Sequence, residues 1–162
     1  MTDISIQQLH HAAYRCRNSE RTRGFYEDFL ELPLVGALRI AKTATGRSAE
    51  VLHTFFQMAN GACIAFFEEP DTPFDFKEQR DFDLHIALQV DYPTLERMLA
   101  KGKDEGREVR GPSDHGFIHS IYFRDPNGYV IELTAPVDEP LAPTESKRRE
   151  AREKLDAWSQ EH

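Results

Sequence analysis

An internal repeat limits most strongly what this chain of 162 residues can fold into. Leu84-His85-Ile86-Ala87-Leu88 lies over His10-His11-Ala12-Ala13-Tyr14 at an offset of 74 (85 − 11). Asn127-Gly128 lies over Asn60-Gly61 at an offset of 67 (127 − 60). One gap reconciles the two offsets. A unit this small cannot bury the apolar face of its own sheet, so the two copies must pack together.

Each copy reads as strand, helix and three strands. In the first, Gln7 to Cys16 is strand-like, and Asn18-Ser19-Glu20 can cap a helix. Phe25, Phe29 and Leu30 then recur at helical spacing. Leu34 to Ile40 and Ala49 to Met58 are apolar runs separated by a polar loop around Gly46. Asn60-Gly61 signals a tight hairpin before Ala62 to Phe67. The charged, proline-containing stretch Glu68 to Arg80 follows. In the second copy, Asp81 to Val90 is a strand and Tyr92-Pro93 opens a helix through Ala100. Gly102 and Gly106 punctuate the descent to Glu108-Val109-Arg110, and residues 111–116 form a polar loop. Ile118 to Phe123 and Tyr129 to Leu133 make a hairpin about Asp125-Pro126-Asn127-Gly128. The expected organisation is one domain over residues 1–139, with module one at 7–69, a linker at 70–81 and module two at 82–136. A helical tail at 140–162 has Thr144 as its cap and Ala151, Leu155 and Trp158 as an apolar stripe that packs on the body or on a partner subunit.

Bulk properties exclude several classes. The net charge of −8, with basic residues scattered outside the tail, argues against nucleic acid or an anionic membrane surface as partner. No apolar run approaches the roughly 20 residues of a membrane helix, and the N-terminus lacks a basic and apolar leader pattern. Cys16 and Cys63 offer neither a disulfide framework nor zinc-site spacing, and each reads as a buried reduced thiol. These features fit a cytoplasmic protein.

The repeat also selects candidate ligands. His85 aligns with His11, so His11 should face inward and His10 outward. Glu132 interrupts an apolar strand between Ile131 and Leu133. It is either on a wet face or held by something positive. Two imidazoles and one carboxylate form a facial metal site with open positions, for which Fe(II) is favoured, with Mn(II) next.

Together, His10-His11-Ala12-Ala13-Tyr14, Phe25-Tyr26, His85-Ile86-Ala87-Leu88 and Tyr122-Phe123-Arg124-Asp125-Pro126-Asn127-Gly128 with Glu132 resemble the vicinal-oxygen-chelate superfamily. That group includes glyoxalase I, fosfomycin-resistance thiol transferases, bleomycin-binding proteins and type I extradiol dioxygenases. The resemblance implies an α+β fold in which two βαβββ modules form a curved, incomplete mixed β-barrel around a metal site. It implies a homodimer, in which some members take one histidine from the partner chain. It also implies metal ligands His11, His85 and Glu132. The repeat places Ala65 opposite Glu132, and Ala65 cannot supply the fourth ligand that glyoxalase I uses. Glu69 has the right parity but falls beyond the strand.

A three-ligand site leaves room for a substrate with vicinal oxygens. The resemblance therefore favours a single-domain Fe(II) extradiol-type dioxygenase acting on a catechol-like aromatic with O2. A glyoxalase-type isomerase, an epimerase or a thiol transferase with Ni(II), Zn(II) or Mn(II) is the alternative, and a metal-free drug-binding protein is a third reading. Tyr122 should share an inward face with Ser120 and Arg124 and is the hydrogen-bond donor. His53, aligned with Ser120 and flanked by Phe55 and Gln57, is an acid–base candidate, as is His115 in its loop. Against the dioxygenase stands the histidine-free linker, where larger extradiol enzymes carry their acid–base histidine. Arg15, Phe55 and Arg124 are the candidate substrate contacts, although an ion pair serves equally well for Arg15.

Overall fold

The computed structural model describes residues 6–137 and 144–161. The first residues of the expected tail, 140–143, and residue 162 lie outside the described residues. In module one, β1 (His11–Arg15) leads into α1 (Ser19–Arg23), where extended Asn18 caps the helix by accepting from the Arg21 N–H. The helix then widens into a π-helical segment, Gly24–Phe29, instead of running regularly to Leu30. This winding puts Phe25, Tyr26 and Phe29 all into the core. β2 (Leu34–Lys42), β3 (Ser48–Gln57) and β4 (Cys63–Glu68) complete a sheet of order β1-β4-β3-β2.

Module two repeats the plan. β5 (His85–Gln89), α2 (Tyr92–Asp104), β6 (Val109–Asp114), β7 (Ile118–Arg124) and β8 (Val130–Pro136) give a second sheet of order β5-β8-β7-β6. In both sheets the first and last strands are parallel and the others antiparallel. The registers coincide at the expected offsets. Ala13 pairs with Ala65 as Ala87 pairs with Glu132, and His53 pairs with Phe67 as Ser120 pairs with Thr134. The expected α+β fold of two βαβββ modules in an open, unclosed sheet arrangement is therefore present.

Beyond β1, which starts at His11 and not at Gln7, three boundaries differ from the sequence reading for a local reason. Residues 81–84 form a turn, closed by Asp83 and Leu84 N–H groups on the Arg80 carbonyl, so β5 starts at His85. Residues 111–114 extend β6 instead of forming a loop, with a register shift between Arg110 and Ser113. An edge strand with a bulge is where proline is tolerated, since Pro112 has no N–H to give. Helix α2 runs past Gly102 to Asp104. A Cβ at Gly102 would lie 2.6 Å from the Phe123 ring, so the glycine serves close helix–strand packing and does not end the helix.

Both modules contribute to one core between them. Tyr26, Phe29, Phe56 and Phe66 from module one join Leu95, Met98, Ile121, Phe123, Ile131 and Leu133 from module two. Phe29 meets Phe123 edge-on at 5.1 Å. The turn at Asp125–Gly128 fastens the modules. Its Asp125 carboxylate accepts from the Asn127 and Tyr129 N–H groups (2.8 and 2.9 Å), the Asn127 side chain (2.9 Å) and the Tyr26 hydroxyl (3.1 Å). Asn127 accepts from the Arg17 N–H at 2.8 Å, and the Tyr129 hydroxyl donates to the Arg15 carbonyl at 2.9 Å. Gly128 has φ 100°, and a Cβ there would stand 2.3 Å from the Lys77 carbonyl oxygen, where the linker crosses the turn.

α3 (Glu145–Glu161) starts at Thr144, whose hydroxyl accepts from the Lys147 N–H. Its Leu155 and Trp158 remain exposed in the single chain. Cys16 and Cys63 are free and buried, as expected.

Replacing Asp125 by alanine leaves buried donors of both modules unsatisfied, at about 1–3 kcal/mol for such a group. Asp125→Ala should destabilise the chain by about 3 kcal/mol in urea denaturation. An unchanged midpoint would contradict the fastening role.

Candidate metal centre

β8 and β5 bring two of the three expected ligands together. Glu132 lies in mid-strand between Ile131 and Leu133, which face the core, so its own side chain points to the opposite face. It is nevertheless only 6% exposed. His85, the first residue of β5, places Nε2 at 3.3 Å from Glu132 Oε2. Its Nδ1 is 2.8 Å from the Asp81 carbonyl oxygen. A carbonyl only accepts, so Nδ1 holds a proton, and Nε2 in the neutral ring presents a lone pair to the carboxylate. Two lone pairs facing each other at this distance require a proton or a cation between them. A neutral imidazole fixed in tautomer by a backbone carbonyl, beside a buried carboxylate, is a donor pair that fits a divalent metal.

Tyr122 pairs with Glu132 across the hairpin and donates to Oε1 at 3.3 Å. Burial, then the adjacent Glu132 charge, raises the Tyr122 phenol above its ordinary range. It therefore keeps its proton at neutral pH. His115 Nε2 lies 3.1 Å from the Tyr122 hydroxyl. His85, Glu132, Tyr122 and His115 thus form one continuous chain of polar contacts. His119 faces away and packs its ring against Tyr92.

Module one presents the corresponding positions with different chemistry. Phe55 stands where module two has Tyr122, and Ala65 stands where it has Glu132. His11, the first residue of β1, is exposed, with Nδ1 2.8 Å from His10 Nδ1 and its ring 5.8 Å from Phe55. His53 is buried, stacked on Phe67 at 3.7 Å, with Nδ1 donating to the Phe66 carbonyl. Arg15 is engaged with the Glu69 carboxylate and with the Glu69 and Thr72 carbonyls. Arg124 donates to the Gln79 and Gly128 carbonyls. Glu69 lies past the end of β4, as expected from its position.

Among the described residues, no three His, Cys, Asp or Glu side chains of one chain stand together as a metal site. The structure gathers His85, Glu132, Tyr122 and His115, and it gathers His11, His53 and Phe55 separately. β1 and β5, which begin with the two candidate ligand histidines, are both sheet edges. Sequence reasoning missed Asp81 and Arg110. Asp81 acts on His85 through its backbone carbonyl, while its carboxylate binds Arg110 at 2.6 and 2.8 Å. No sequence period signals a backbone acceptor or an ion pair 29 residues apart.

Paired βαβββ modules with open, unclosed sheets make up the vicinal-oxygen-chelate fold. The chain belongs to the Glyoxalase/Bleomycin resistance protein/Dioxygenase superfamily, whose sequence model matches residues 8–133. It is 29% identical over 145 residues to the metallothiol transferase FosB of Shouchella clausii, spanning 85% of this chain and 86% of that protein. Over 133 residues it is 29% identical to the lactoylglutathione lyase of Neisseria meningitidis serogroup A, spanning 78% of this chain and 88% of the lyase. A 58-residue stretch, 34% of this chain, is 40% identical to biphenyl-2,3-diol 1,2-dioxygenase 3 of Rhodococcus globerulus and makes up 30% of that enzyme. The fold matches a variant of the fosfomycin resistance protein FosX from Listeria monocytogenes complexed with Mn(II) and 1S,2S-dihydroxypropylphosphonic acid. The TM-score is 0.62 at 21% identity, covering 83% of this chain and 97% of that one. Family members of these kinds are metal-dependent enzymes acting on small molecules. No helix among the described residues is long and apolar enough to cross a membrane.

Glu132→Gln keeps an acceptor for Tyr122 while removing a buried charge. The metal-free variant should be at least as stable as the parent, because an uncompensated buried charge is costly. Its affinity for divalent metal should fall by more than about 100-fold, exceeding the loss typical of outer-shell changes. Isothermal titration with Mn(II), beside thermal melts, checks both outcomes. Unchanged affinity would remove Glu132 from the ligand set.

Proposed function

We propose that the chain is an Fe(II)-dependent extradiol-type dioxygenase that opens a catechol-like ring with O2. Its site joins His85 and Glu132 to His11 of a second copy. The observation that carries this reading is the contact chain from His115 through Tyr122 to Glu132 and His85. It puts a protonated phenol and an imidazole beside the ligand pair. Ala65 leaves a three-ligand set, which keeps positions open for two vicinal substrate oxygens. The likeness of a 58-residue stretch to a biphenyl-2,3-diol dioxygenase also supports it.

Both half-sites sit at sheet edges, and an exposed edge with unpaired backbone groups favours pairing with another copy. A homodimer related by a two-fold axis brings β1 of one copy to β5 of the other twice, giving two equivalent sites. When bound, the divalent metal supplies Lewis-acid templating and, as Fe(II), activation of O2. The remaining roles fall to the protein. Tyr122 keeps its proton and would turn its hydrogen bond from Glu132 toward substrate oxygen, while His115, beside the Tyr122 hydroxyl, is the acid–base group. His53, wedged between Phe55 and Phe67, stiffens the wall against which an aromatic ring would rest. Phe55 supplies that wall's apolar face. Arg124 borders the site from the strand of Tyr122, while Arg15 stays with Glu69 and Thr72.

Thiol transfer to a small electrophile is the second reading, favoured by the match to the metallothiol transferase over 85% of this chain. An oxygen-electrode assay of anaerobically iron-loaded protein with a panel of catechols separates the two. Dioxygenase activity should appear with Fe(II) and fall by about 10²–10⁴ in His115→Ala without loss of bound iron. No O2 uptake with any catechol, together with thiol consumption in the presence of an epoxide, would replace the first reading by the second.

A further inference from the structure

The geometry points to Arg110 as a positioning residue that sets the metal-binding histidine and the catalytic tyrosine at once. This rests on the metal reading of His85 and Glu132. Arg110 lies on edge strand β6, opposite Tyr122 in the register of β6 and β7. Its guanidinium carbon stands 5.0 Å from the centre of the Tyr122 ring, within cation–π range. Its Nη2 donates to both carboxylate oxygens of Asp81, at 2.6 and 2.8 Å. The Asp81 carbonyl in turn accepts from His85 Nδ1 at 2.8 Å. One planar side chain therefore touches the turn that fixes the tautomer of His85 and the ring whose hydroxyl meets Glu132.

Arg110 anchors the turn at Asp81 itself. Residues 81–84 belong to the crossing between modules and are tied locally by the Arg80–Asp83 pair and the Arg80 carbonyl. Those ties close the turn on itself, and the sheet holds its two ends, through Gln79 at the Gly128 carbonyl and Arg124 and through His85 in β5, but neither set touches the Asp81 side chain. Arg110 binds it to β6, so the direction of the Asp81 carbonyl follows the strand that also carries the neighbour of Tyr122. Ion pairs this exposed, with side chains 51% and 32% accessible, contribute little to global stability. An effect on the metal is therefore separable from an effect on folding. Tuning a ligand histidine through the acceptor of its second nitrogen commonly changes metal affinity by about 10–100-fold.

The test uses the full-length protein and Co(II) as probe, read by its visible absorption and by competition titration. Arg110→Met should weaken Co(II) binding by about tenfold and shift the cobalt spectrum, with the melt of the metal-free protein unchanged. Asp81→Ala keeps the backbone carbonyl but removes the side-chain anchor and should give a similar loss. The Arg110→Met/Asp81→Ala double variant should lose no more than Arg110→Met alone, because both act through one contact. Arg110→Lys, which keeps charge without the planar fork, should fall between parent and Arg110→Met. If Arg110→Met does not fold, Asp81→Ala alone decides. Parental affinity and spectrum in the folded variants, with Co(II) binding lost in His85→Ala, would overturn this inference and leave the metal site standing. Additive losses tracking a lowered melt would assign Arg110 a merely structural role and overturn it as well. Parental binding in His85→Ala would overturn the metal reading itself.

Discussion

The buried carboxylate of Asp125 determines how the two halves of this molecule face one another. It closes its own turn through two backbone N–H groups and reaches across to the Tyr26 hydroxyl of the other module. Burial pushes its pKa up, while the surrounding donors pull the other way. A hydrophobic core alone could tolerate sliding between modules. Directional bonds from one buried acceptor fix the angle, and Asn127 and Tyr129 add contacts from the same turn to Arg17 and Arg15.

That angle has a consequence for the candidate metal centre. The shared core consumes the helix-covered faces of both sheets, leaving the opposite faces, with His85 and Glu132 on one and His11 on the other, looking outward. The first strand of each sheet is left as an edge. Within module two, strand pairing brings a carboxylate, an imidazole and a phenol to one side, because alternate residues on paired strands share a face. Module one carries Phe55 and Ala65 at the same register positions. The same scaffold thus occurs twice, with the candidate acidic ligand in only one half.

Much of this was legible in the sequence because strand pairing obeys a period of two. Once His85 was laid over His11, the offsets of 74 and 67 dictated that Ala65 and Glu132, and His53 and Ser120, would occupy equivalent places, as the registers have it. Features that depend on local winding or on distant partners were not legible. The π-helical segment gathers Phe25, Tyr26 and Phe29 in a way a regular helix does not, and Gly102 reads as a helix end until Phe123 is seen against it. Residues 111–114 look like a polar loop because a bulged edge strand needs no apolar alternation. The grouping of His115 with Tyr122, and the role of Asp81 through its carbonyl, depend on loop paths that spacing does not encode.

Mixed dimers test the composite site most directly. Chains of His11→Ala and His85→Ala are each expected to form dimers that hold no tightly bound metal. Co-purified as a heterodimer with two different tags, one site would lose both histidines and the other would keep His11 from one chain with His85 and Glu132 from the other. Metal analysis should then find about one ion per heterodimer, as two-fold symmetry requires, against none in either homodimer. No metal in the heterodimer, with metal bound by the wild-type protein as a monomer, would contradict a site shared between two copies.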